Sequence, residues 1–275
     1  MMRPKTTPLT TRERLHALVH ELNFKGMERV LDAELDRTER EGLPAADLMQ
    51  RLLTEQASFQ RERAMVNRVA RARLPWQWTI DTFPFKQQPG VNKAQILALA
   101  GLDFVRRAEN VVLIGGTGTG KTGIAMGLLR QACVNGWRGR FYNAQTLFDE
   151  LYASLADRST TKLLTALSRT QPLVIDELGY LNLKSEQVNA FFRLMDQRYG
   201  RVSTILTANL DYPAWYGLFD NKPLVDALLD RLQHHCITIR INGPSLRVAA
   251  APDAPPSPTP SPGPKAAHKP QPKVR

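Results

Sequence analysis

The spacing of apolar residues changes once along the chain. Over residues 10–73 they recur at helical intervals. Leu15, Leu18, Val19 and Leu22 form one stripe, Met27, Val30, Leu31 and Leu35 a second, and Leu48, Leu52, Leu53 and Phe59 a third. Positions i, i+3, i+4 and i+7 share one face of a helix, so the pattern predicts about three amphipathic helices. Thr10 with Glu13 fits a capping box at the first start. Gly26 interrupts the pattern, and Gly42-Leu43-Pro44 reads as a turn, with Pro44 suited to a first helical turn. Beyond residue 108 the texture becomes short continuous apolar runs separated by helical stretches. The runs are residues 111–114, 140–142, 171–177, 203–208 and 236–241. Such runs suit strands buried on both faces, and their alternation with helices predicts an α/β parallel sheet.

The first run leads directly into Gly115-Gly116-Thr117-Gly118-Thr119-Gly120-Lys121-Thr122, and a helical sequence follows. This is G-x-x-x-x-G-K-[ST] in a strand–loop–helix setting. Glycines let the backbone wrap phosphate oxygens with its N–H groups pointing inward, and the helix N-terminus favours an anion. Lys121 suits the β- and γ-phosphates of ATP, and the Thr122 hydroxyl suits Mg²⁺.

The run at 171–177 ends in Asp176 and Glu177. Asp176 fits the Mg²⁺ shell, and Glu177 fits a group that activates water for attack on the γ-phosphate. An Asp-Glu pair at a strand end points to hydrolysis. A small-molecule kinase would not need Glu177. Asn209, after the run at 203–208, suits a hydrogen bond to water or γ-phosphate, and equally suits a turn. Arg231 is open to two readings: a surface charge paired with Asp230, or an arginine finger serving a neighbouring subunit. His234-His235-Cys236 lacks the spacing of a metal site, and Cys133 reads as packing.

Charge adds a partner class. The 275 residues carry 37 Lys+Arg against 26 Asp+Glu, a formal +11 that suggests a polyanion. About +3 falls in residues 248–275, which hold nine of the 19 prolines and read as a disordered basic tail. Residues 61–73 carry five Arg and one Glu. Arg61, Arg68 and Arg71 share a helical face there, which is either a solvated face or a phosphate-contacting one. Trp76 and Trp78 could stack on bases, but a packing role between helical region and neighbour is favoured. Two cysteines exclude a disulfide scaffold. No run of 18 apolar residues predicts a membrane span, and Met1-Met2-Arg3-Pro4-Lys5 is not followed by a secretory h-region, so the expected location is the cytoplasm.

Taken in order, the motifs resemble a known family. They are Arg-Ala-Arg-Leu-Pro at 71–75, Asp-Thr-Phe-Pro-Phe at 81–85, Gly-Thr-Gly-Lys-Thr at 118–122 and Val-Ile-Asp-Glu-Leu-Gly-Tyr-Leu at 174–181. Gln-Arg-Tyr at 197–199, Leu-Thr-Ala-Asn-Leu at 206–210, Leu-Asp-Arg-Leu-Gln-His-His at 229–235 and Ile-Asn-Gly-Pro-Ser-Leu-Arg at 241–247 complete the series. The series is similar to the IstB family of insertion-sequence helper ATPases, relatives of the DnaC helicase loaders in the AAA+ superfamily. The resemblance covers about residues 10–247. It implies a AAA+ P-loop core behind a small helical N-terminal domain, with a reduced or absent C-terminal lid. It implies Asn209 as sensor I and Arg231 as the arginine finger of a homo-oligomer assembled through its ATP sites. It further implies ATP-dependent assembly on duplex DNA and stimulation of a partner transposase. A DnaC-like helicase loader is the alternative. Gly123 departs from the His that many members carry, and Pro244 and Leu246 replace the more usual Glu and Tyr. The expected organisation is a leader at 1–9, a helical domain at 10–78, a connecting segment at 79–108, the ATPase core at 109–247 and the tail at 248–275.

Overall fold

The computed structural model describes residues 9–179, 181–219 and 221–247, with only the backbone of Gln233 and His234. The expected tail at 248–275 and all but Leu9 of the expected leader lie outside the described residues. The chain divides into two compact units between Arg68 and Val69.

The first unit contains α1 (Thr11–Glu21), α2 (Lys25–Glu28), α3 (Leu31–Glu41) and most of α4 (Ala45–Arg71). The Thr10–Glu13 capping box is present: Glu13 N–H donates to Thr10 Oγ1 at 3.2 Å, and Thr10 N–H donates to Glu13 Oε2 at 2.7 Å. Four helices stand where the periodicity predicts about three, because the second stripe is split, with Met27 in α2 and Leu31 and Leu35 in α3; Gly26 lies inside α2 rather than ending a helix. A Cβ on Gly26 would sit 2.6 Å from Phe59 Cβ and 2.9 Å from Gln56 Cα, so the glycine lets α2 approach α4 closely. The Oε1 of buried Gln56 accepts from the N–H groups of Gly26 and Met27, at 2.9 and 3.2 Å, and satisfies the start of α2. The core of this unit is Val19, Met27, Leu31 and Leu52. Of the first predicted stripe only Val19 is buried; Leu15, Leu18 and Leu22 are exposed.

The second unit contains α5 (Lys93–Ala100), α6 (Asp103–Arg106), β1 (Asn110–Gly115), α7 (Lys121–Val134), β2 (Arg140–Asn143), α8 (Ala144–Ala156) and α9 (Thr160–Ser168). It continues with β3 (Leu173–Leu178), α10 (Ser185–Arg198), β4 (Thr204–Ala208), α11 (Trp215–Phe219), α12 (Lys222–His234) and β5 (Cys236–Ile241). All five predicted strands form, and they pair in parallel in the order β2-β3-β4-β1-β5. Side chains alternate between faces. Val112, Ile175 and Leu206 join a core with Phe148, Phe191 and Trp215. Leu113, Val174 and Ile205 join another with Ile96, Ile124 and Leu128. Both faces are thus covered by helices, which explains why the strands read as unbroken apolar runs. Parallel strands bring their C-terminal ends to one edge, where the loops after β1, β3 and β4 meet.

Candidate nucleotide site

The loop after β1 is shaped by its glycines. Gly118 and Gly120 have φ of +81° and +92°, a region that disfavours any side chain. There is also no room for one. A Cβ on Gly120 would meet the Phe83 ring at 2.7 Å, and one on Gly118 would meet Ser245 Oγ. The segments around residues 83 and 245 therefore pack directly on the loop. Leu246 N–H donates to Gly118 O at 2.9 Å. The amide of fully buried Gln88 donates to Thr119 O at 3.2 Å and to Pro244 O at 2.8 Å.

Lys121 opens α7, and its ammonium donates to the carbonyls of Gly115 and Gly116 at 2.8 and 2.7 Å. Burial pulls its pKa below the ordinary lysine value. The charges of Asp176 and Glu177 act against that shift, and the charge of Arg247 adds to it, which puts Arg247 within electrostatic reach of the loop. Thr122 Oγ1 donates to Asp176 Oδ1 at 2.9 Å, joining two residues 54 positions apart. Thr207 Oγ1 on β4 donates to the same carboxylate at 2.6 Å. Asp176 is 4% exposed, and burial raises its pKa while the Thr207 and Thr122 hydrogen bonds hold it down.

Glu177 is exposed, at the end of β3, with φ +62° and a shift in the β3–β4 register beside it. A left-handed non-glycine costs about 1 kcal/mol or more, and such strain clusters at functional positions. Two bonds hold it: its N–H donates to Thr207 Oγ1 at 2.9 Å, and its Oε2 accepts from Asn143 Nδ2 at 2.9 Å. Asn143 ends β2 and also caps α8 by accepting from Gln145 N–H. Asn209 follows β4 directly, at the same edge of the sheet.

The loop residues, Asp176, Glu177 and Asn209 are thus assembled at one edge, and Arg231 is not. Arg231 lies on α12 near the start of β5, lining a small cleft with Asn110, the first residue of β1, at the opposite end of the sheet. It pairs with Asp196 at 3.0 Å rather than with Asp230, since adjacent helical residues do not face each other. Arg61 is exposed and donates to Ser58, and near the end of α4 Arg68 is half-buried and Arg71 exposed. Asn143, Thr207, Gln88 and Arg247 join the site without having been singled out from sequence. The signal for Asn143 was present: a polar residue at a strand end beside Asp176, its register partner.

The arrangement can cradle a polyphosphate. Its backbone concavity is filled by any Cβ, its lysine is held only by loop carbonyls, and its Thr-Asp pair is a hard oxygen donor set suited to Mg²⁺. Comparison with known proteins agrees. Residues 17–254 match the profile of the IstB-like ATP binding protein family. The ATP-binding protein of insertion sequence IS21 from Pseudomonas aeruginosa is 34% identical over 234 residues, 85% of this chain and 88% of that one. That of IS5376 from Geobacillus stearothermophilus is 30% identical over 237 residues, 86% and 94% of the two chains. Among solved structures, a DnaC helicase loader superposes with a TM-score of 0.53 at 22% identity, over 62% of this chain and 100% of that one. DnaI gives 0.52 at 18%, over 60% and 92%. These likenesses show a AAA+ fold. By family match and by its relatives, the chain belongs to the IstB-like ATP-binding proteins of insertion sequences.

Proposed function

We propose that the chain is an ATP-hydrolysing helper of a transposition system, acting in the cytoplasm, binding duplex DNA and stimulating a partner transposase. The observation that carries hydrolysis is the bonded series Thr122–Asp176–Thr207–Glu177 beside the glycine loop. Lys121 leaves its loop carbonyls to neutralise the β- and γ-phosphates. Thr122 and Asp176 hold Mg²⁺, which when bound supplies charge neutralisation at the phosphate oxygens. Glu177 orients water and takes its proton, and Asn209 steadies the attacking water. Arg247 adds a cis charge to the phosphates. Arg231 faces away from its own nucleotide, so its service is to a neighbouring subunit, in a homo-oligomer joined through ATP sites. The insertion-sequence relatives support the transposition setting, and the arginines of α4, with Arg61, Arg68 and Arg71 first, support the DNA partner.

ATPase rate and assembly size, each measured without DNA, with single strands and with duplex, test the reading. Duplex-stimulated hydrolysis with assembly is expected. Stimulation by single strands alone, with capture of a replicative helicase, would favour a helicase loader. Turnover only with a metabolite acceptor would make the protein a kinase. Arg231→Ala should keep nucleotide affinity and lose about 10³-fold in hydrolysis. An unchanged rate would remove the finger assignment.

A further inference from the structure

The edge strand β2 gathers a group of arginines that the nucleotide site does not use. Phe141 N–H on β2 donates to the carbonyl of Ala72 at 2.8 Å, so the segment leaving α4 runs beside this edge of the sheet. That bond places Arg71 and Arg73, which flank Ala72, beside Arg140, which precedes Phe141. Arg138 is two residues upstream and exposed, as are Arg71 and Arg73. All four belong to the second unit. Arg73 has φ +57°, in the position just past a helix where Gly or Asn is the cheaper residue. The guanidinium of Arg140 lies 4.7 Å from the centroid of the Tyr142 ring, and its buried Nε has no acceptor. Tyr142 itself is pushed up to about 12 by burial and by Glu150, while the charges of Arg140 and Arg73 act the other way, so both reach the same ring.

Elsewhere among the described residues, arginines 12, 37, 51, 106, 107, 231 and 240 are paired with carboxylates, and those that are not, such as Arg63 and Arg130, are scattered along the chain where the β2 edge gathers four. Among the described residues none of the four at the β2 edge forms an ion pair, and Glu150 is the acid that faces Tyr142. Like charges gathered without counter-ions repel, and a polyanion relieves that repulsion while releasing its own condensed cations. Guanidinium groups also match phosphate oxygens in a two-pronged geometry.

We infer that Arg71, Arg73, Arg138 and Arg140 form a phosphate-binding patch along the β2 edge that grips the backbone of duplex DNA. The inference rests on the duplex-DNA reading above and adds a surface of the ATPase unit itself to the arginine helix. Contacts of this kind fix position without reading sequence.

The test is the salt dependence of duplex binding by the full chain with ATP. In the triple variant Arg73→Gln/Arg138→Gln/Arg140→Gln the slope of log K against log salt should fall in magnitude by about 2.7, at about 0.9 for each phosphate that goes unneutralised. Nucleotide affinity should stay at the wild-type value, and the ion-paired control Arg106→Gln/Arg107→Gln should keep the wild-type slope. If the triple variant loses nucleotide binding, the double variant Arg73→Gln/Arg138→Gln, at two exposed positions, decides, with an expected fall of about 1.8. A wild-type slope in a variant that binds nucleotide normally overturns the patch and leaves the duplex reading standing. Wild-type protein that does not bind duplex in a salt-dependent way overturns both.

Discussion

Each end of the sheet holds a buried cation, and the two do different work. At the end where the strands finish, Lys121 is 6% exposed and donates to two carbonyls. At the end where they begin, Arg198 is 1% exposed and donates to Leu167 O, Thr170 O, Ser203 O and Thr204 Oγ1. Burial depresses both, Arg198 to about 9. The partners separate them. Lys121 is held by the loop it belongs to, and Gly116 is exposed, so water can replace the ammonium when it moves. Two carboxylates, Asp176 and Glu177, are within electrostatic reach. The acceptors of Arg198 come from α9, the segment after it and the start of β4, and they are buried or half-buried. Removing that guanidinium leaves them unmet. A buried charge marks a site only where its ligands can be exchanged; otherwise it is a tie in the fold.

Breaking the tie should give the largest effect. Arg198→Met should cost roughly 3–5 kcal/mol of stability, because each orphaned buried acceptor costs about 1–3 kcal/mol. Denaturant unfolding of nucleotide-free protein measures it, and nucleotide affinity of the folded fraction should be unchanged. A normal unfolding midpoint would show that the acceptors find other donors. Lys121→Ala should reverse the pattern. ATP affinity should fall about 100-fold, about 2.7 kcal/mol, with the midpoint of the nucleotide-free protein unchanged. Calorimetric titration reads the first quantity. Near-normal affinity would refute the phosphate role.

The same contrast explains what could be read from sequence. The strands, the glycine loop and the Asp-Glu pair were legible because each is a local signal: an apolar run, a spacing, a strand end. Thr122 and Asp176 meet because β1 and β3 finish at one edge of the parallel sheet with only β4 between them; the shared edge was legible from the strand ends, the strand order was not. Arg198 was not legible, since an arginine in a polar helix end looks solvated until the sheet start folds over it. Gln88 sits in a turn-rich segment without periodicity, and its role depends on Pro244, 156 residues away. The stripe of Leu15, Leu18 and Leu22 predicted burial that a core of four residues supplies only to Val19. Gly26 looked like a break because its purpose, the approach of α4, is tertiary.

Asn143 sharpens the comparison at the exchangeable end. Its amide is the partner of the Glu177 carboxylate, at 2.9 Å, and both residues lie at the surface rather than in the core. Asn143→Ala should lower hydrolysis about 10-fold, about 1.4 kcal/mol on the barrier, with ATP affinity within twofold. Loss of the α8 cap would lower stability by about 1 kcal/mol. Asn143→Asp keeps a capping oxygen but not the donor, so it separates the two roles. If the Asp variant restores the rate along with the stability, Asn143 serves only the helix.

Gly123 should show the smallest effect and ask the most of the packing around the loop. It follows Thr122 in α7, and a Cβ there would lie 3.0 Å from the Trp78 ring. The contact assigns Trp78 to packing rather than to an exposed stacking surface, and it gives a reason for glycine at this position. Ala should gain about 1 kcal/mol from helix propensity and lose a similar amount by crowding the indole. The net shift of Gly123→Ala in an otherwise wild-type chain should therefore be under about 1 kcal/mol. In a Trp78→Leu background the crowding goes, and the same substitution should stabilise by about 1 kcal/mol. Thermal unfolding of the four proteins gives the coupling directly. Equal effects in both backgrounds would mean that the indole yields freely. The glycine would then owe its place to the loop and not to the tryptophan.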